Sequence, residues 1–139
     1  MKIETTILKN LLQNEDYARK VLPFLNDKYF TENSDKIVYN QINNFILKYN
    51  SLPNKEALNI ELSEAKITEE DFKESINLIN EIGKDDQEFS DLSWLLDSTE
   101  KFCQDKAIYN AVVESISILD NPKSTTDKGA IPDILSDAL

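Results

Sequence analysis

The 139-residue chain contains no histidine and a single cysteine. It therefore lacks the commonest general base and the commonest metal ligand. One cysteine without histidine excludes a zinc site of the usual kind. Cys103 has no internal partner for a disulfide, and a cytosolic protein is the natural reading. Two glycines and four prolines leave little material for tight hairpins, so the composition favours helices. No G-x-x-x-x-G-K-[ST] string is present, and Gly83 and Gly129 stand far apart, so no phosphate-cradling loop is encoded. The EF-hand pattern is also missing. No apolar run approaches the roughly 20 residues that span a bilayer. No basic segment leads into an apolar one at the N-terminus, so no signal peptide is expected, and no membrane partner. Arg19 is the only arginine, and the lysines form no block. Direct grip on a nucleic-acid backbone needs clustered cations, so the chain is a poor DNA binder by itself.

What is present is apolar periodicity and acid. Hydrophobic residues make up 40% of the chain, which argues against disorder. The formal charge is −11. Most of the excess lies after residue 60, where the acid-rich stretches begin. Such a surface solubilises a domain or suits a basic partner.

The order of the periodic segments predicts an all-α chain. Ile3, Ile7, Leu8, Leu11 and Leu12 mark one face of a first helix over 3–13. Asn14 before Glu15-Asp16 predicts the N-cap of a short second helix that stops near Pro23. Phe24, Leu25, Tyr29 and Phe30 are expected to anchor an irregular connection. A third helix over about 32–49 presents Val38, Ile42, Phe45, Ile46 and Tyr49. Pro53 interrupts, and Asn54 caps a fourth helix with Ala57, Leu58 and Leu62. Thr68 opens a fifth, carrying Phe72, Ile76, Leu78, Ile79 and Ile82, and Gly83 is read as its C′ residue. Lys84–Ser90 is a polar connection.

The stretch Asp91–Asn121 reads as one long helix and organises the rest. In its first half Leu92, Leu95, Leu96, Thr99, Phe102 and Cys103 share an arc, and charges take the other side. Cys103 is read as core. Its second half, Ile108–Leu119, is apolar in nearly every direction and needs cover on more than one side. A second copy of the chain is the expected source of part of that cover. Trp94 lies off the buried arc, either as an interface anchor or beneath a neighbouring loop. The polar stretch 123–128 then leads to a last helix starting near Pro132, with Ile131, Ile134, Leu135, Ala138 and Leu139 on one stripe. No catalytic constellation is found. The carboxylates at 84–91 are read as a solvated face.

Three strings carry a resemblance to a known family: SLPNKEALN at Ser51–Asn59, SWLLDSTEKF at Ser93–Phe102 with Asn110-Ala111 beyond it, and GAIPDILSDAL at Gly129–Leu139. The chain resembles the N-terminal domain of phage T4-type, DnaB-like replicative DNA helicases. The resemblance implies a small helical bundle followed by an antiparallel helical hairpin and a C-terminal linker helix. Residues 1–121 would be the collar domain, with the hairpin at about 68–121, and 122–139 the linker and its helix. It implies oligomerisation as a dimer, trimer of dimers or hexamer, and docking of primase, with a helicase loader as a further candidate partner. DNA would be met only indirectly, through the ring. Within this picture Ile108, Val112, Ile116, Leu119, Leu78 and Ile82 are the candidate oligomer interface. Ile131, Ile134, Leu135 and Leu139 are candidates for linker-helix docking, and Trp94 is a candidate partner anchor. ATP and Mg are implied only for an ATPase domain that these 139 residues do not include, so the chain itself is expected to be non-catalytic and to hold no cofactor. The implied setting is the cytoplasm of an infected bacterial host. The rival reading is a free-standing acidic helical adaptor that binds a basic surface. An enzyme built on the 84–91 carboxylates ranks last.

Overall fold

The computed structural model describes residues 2–84, 91–121 and 127–139. Within them the chain is all-α, with seven α-helices and no strand. It forms two compact units, Met1–Thr99 and Glu100–Leu139. The division falls inside the long helix.

The first unit contains α1 (Ile3–Gln13), α2 (Glu15–Val21), α3 (Asn33–Tyr49), α4 (Lys55–Ser63) and α5 (Glu69–Ile82). It also takes in the first turns of α6 (Leu92–Asp120). Short polar side chains start α2, α4, α5 and α6 by accepting from otherwise orphaned amides. Asn14 accepts from the Tyr17 N–H at 3.1 Å and Asn54 from Ala57 at 2.7 Å. Thr68 accepts from Asp71 at 3.1 Å, and Asp91 from Trp94 at 3.1 Å. Each such cap is worth about 1 kcal/mol. Helix α3 ends on Asn50, whose φ of 52° places it in the left-handed region that Asn tolerates.

In this unit α3 and α5 pack on each other, and both pack on α1 and α4. Ile7, Leu8 and Leu11 of α1 are fully buried, as are Val38 and Ile42 of α3. Leu58 and Leu62 come from α4, Ile79 and Ile82 from α5, and Leu95 from α6. Each side chain of this size contributes about 1.5–3 kcal/mol on burial. The irregular stretch after α2 is anchored by Leu25 and Phe30, while Phe24 remains exposed. The Phe30 ring stacks on Tyr39 at 5.4 Å, and the Tyr39 hydroxyl donates to the Leu25 carbonyl at 3.1 Å.

Two local expectations are corrected. The buried face of α3 runs through Ser34, Asp35, Val38, Tyr39 and Ile42, and Tyr49 emerges into solvent. The last turn of α3 outruns the elements that cover its beginning. Gly83 does follow α5, but its φ of −84° is not left-handed. Its requirement is space: a Cβ there would lie 2.9 Å from the Ile79 carbonyl oxygen and 3.2 Å from Lys55 Cβ.

The second unit contains the rest of α6, a 3₁₀ turn at Lys128–Ala130 and α7 (Ile131–Asp137). Asp127 accepts from the Gly129 N–H at 3.1 Å, and Pro132 occupies the first turn of α7. Along its part of α6, Phe102, Cys103, Ala111, Ser115 and Ile118 are buried. The Ser115 hydroxyl satisfies itself on the Ala111 carbonyl at 2.8 Å. Asp85, Asp86 and Glu88, the heart of the acidic stretch between α5 and α6, lie outside the described residues.

Candidate interaction surface

The candidate surface is built by α6 within the second unit. Helical winding at 3.6 residues per turn sets Ile108, Leu119, Val112 and Ile116 within an arc of about 80°. Their exposures are 41%, 54%, 42% and 52%. The same winding widens the arc to about 140° when Tyr109 and Val113 are included, and both are exposed. Buried Ala111, Ser115 and Ile118 occupy the neighbouring arc. The helix is thus covered on one side and leaves a continuous apolar strip open on another. At one edge, Lys106 Nζ lies 5.9 Å from the Tyr109 ring centroid.

This strip has the chemistry of association. Aliphatic side chains on a rigid helix offer area and shape and carry no proton donor or nucleophile. The nearest reactive group, Cys103, is buried, and burial pushes its thiol up to about 11. A thiol so poised stays protonated and inert at neutral pH.

The other candidates separate by environment. Leu78 and Ile82 of α5 are buried in the first unit, so the chain's own bundle covers them. Trp94, also in the first unit, stands in the first turn of α6 and is 53% exposed. In α7, Ile131 and Ile134 are half-buried and Leu135 is exposed; Leu139, expected on the same helix, lies beyond its end at Asp137 and is 92% exposed. Tyr109 and Val113 extend the open strip beyond the residues that the sequence nominates for an interface, although the all-round apolar pattern of the helix contains them.

No family model matches the chain. A DnaB-like replicative helicase of Enterobacteria phage T4 is 33% identical over 141 aligned residues, which cover 96% of this chain and 29% of that helicase. This chain is a helicase-related domain. The likeness runs almost end to end on this side and falls in the N-terminal region of the relative. The domain spans less than a third of the relative's length. Its 139 residues contain no phosphate loop. Among the described residues, no helix of the domain is long and apolar enough to cross a membrane.

Proposed function

We propose that this domain is the N-terminal oligomerisation and primase-docking part of a hexameric replicative helicase whose ATPase domain lies outside these 139 residues. The observation that carries the reading is the open apolar strip on α6, at Ile108, Val112, Ile116 and Leu119. A strip of this kind on a water-soluble helix is stabilised when a second surface removes it from water, and a second copy presents the same strip in return. The likeness to a replicative helicase supports a ring-forming context. Leu78 and Ile82 are left out of the proposed interface because they already serve the bundle core.

In this reading Ile131, Ile134 and Leu135 of α7, with Leu139 just beyond it, form an apolar stripe that docks on a neighbouring subunit. Trp94 is an exposed anchor for primase or a loader, since large aromatics on a surface concentrate binding energy. The chain performs no catalysis and touches DNA only through the assembled ring. The docking half is tested by passing purified cognate primase over the immobilised domain. Retention that weakens at least tenfold in Trp94→Ala supports it, and no retention by the assembled wild-type domain refutes it.

A further inference from the structure

A second feature lies wholly within the first unit and is independent of the α6 strip. The start of α3, the N-terminal end of the chain and one side of α5 enclose an open recess of about 450 Å³. Carboxylates dominate its walls: Glu32 and Asp35 at the start of α3, and Glu74 and Glu81 on α5. The lone cation is Lys2, which reaches Glu32 at 3.2 Å. Both ends of that pair are more than half exposed, so it holds the recess only weakly.

Asp35 distinguishes the recess from an ordinary acidic surface. It lines the wall, yet it is only 4% exposed. Among the described residues its carboxylate makes no hydrogen bond and no ion pair, and its interactions with Lys2, Glu32, Glu4 and Glu81 are through space. Its oxygens are not among the sealed, unpartnered polar atoms, so the carboxylate opens onto the recess and faces the other acids there. A cation brought into the recess would relieve the repulsion among these carboxylates.

The choice of cation follows from the layout. No group of three carboxylates among the described residues is placed to hold a metal ion. The acids come from two helices and surround a space large enough for a side chain, with Leu78 contributing an apolar wall. A planar guanidinium with five donors can address several separated acceptors while its aliphatic stem lies on Leu78. We propose that this recess is a docking pocket for an arginine side chain presented by a basic segment of a partner protein.

The test uses the intact 139-residue domain and N-acetyl-arginine amide, followed by amide NMR shifts at constant ionic strength. The neutral isostere N-acetyl-citrulline amide is the control. The expected result is saturable, millimolar binding that moves Ser34, Asp35 and Asn77 for the arginine compound alone. Asp35→Asn should weaken it roughly fivefold or more, because a charge-assisted contact is lost. Should that variant fold poorly, exposed Glu81→Gln carries the same expectation. Lys2→Ala should tighten binding by removing the competing ammonium. The remote exposed variant Asp133→Asn should leave it unchanged. Shifts that do not saturate by tens of millimolar would overturn the proposal. So would equal responses to arginine and citrulline, or equal weakening by Asp133→Asn.

Discussion

The Tyr17 hydroxyl and Thr99 Oγ1 lie 2.6 Å apart in the interior of the first unit, joining α2 to α6 across 82 residues of sequence. Thr99 also lies 2.7 Å from the Leu95 carbonyl, to which it donates its single proton. Tyr17 is therefore the donor in the bond between them. This bond ties the first turns of α6 to α2 within the first unit.

Its energetic weight is measurable. Tyr17→Phe is expected to cost about 0.5–1.5 kcal/mol, the net value of one buried hydrogen bond. Thr99→Val is expected to cost about 1–3 kcal/mol, because it deprives a buried hydroxyl of this acceptor. The double variant should lose less than the sum, with a coupling of about 0.5–1.5 kcal/mol in urea denaturation. Strict additivity would show that the two groups do not interact in solution.

Asp35 gives the pH dependence. Burial pushes its carboxyl above the ordinary 3.8, Lys2 pulls it back, and Glu32, Glu4 and Glu81 push it further up. The folded state thus holds this proton to a higher pH than the unfolded chain does. The sign follows from linkage: Asp35 favours the fold most at acid pH, and that contribution is lost as pH rises through its folded value. Asp35→Asn is therefore expected to melt above wild type at pH 7. The gap should close as pH falls toward 3.8. A variant that melts lower at pH 7 would show that the charged form of Asp35 stabilises the fold.

Cys103 gives a chemical readout. Its thiol is raised from the usual 9.0 to about 11 by burial. At pH 8 its thiolate fraction is then on the order of a hundredfold below that of an ordinary cysteine. Iodoacetamide should label the native domain at least that much more slowly than the urea-unfolded chain. Equal rates would place the thiol in solvent.

Helix starts were legible because their causes are local. Asn14, Asn54 and Thr68 announce caps within three residues, and the structure makes each bond. The apolar content of Ile108–Leu119 was equally plain, since the winding of one helix is enough to display it. Which part of it stays open was not legible, because Ala111, Ser115 and Ile118 acquire their cover only in the fold. At Gly83 the position is legible in the sequence but its cause is not: space there is limited by the Ile79 carbonyl of its own helix at 2.9 Å and by Lys55 of α4 at 3.2 Å. The acidic recess left no trace in the sequence. Its walls come from residues 2, 32–35 and 74–81, and only tertiary packing brings them together. Leu78 and Ile82 looked like surplus apolar residues on a wide face until the bundle was seen to bury them.

The central claim is that the open strip on α6 is a self-interface. Light scattering after gel filtration, over a wide range of protein concentration, tests it most directly. The account predicts a mass that rises from the monomer's 15.9 kDa to dimers and then toward hexamers, and a Val112→Asp/Ile116→Asp variant that stays monomeric with unchanged helicity. A wild-type domain that remains monomeric at every concentration would contradict it.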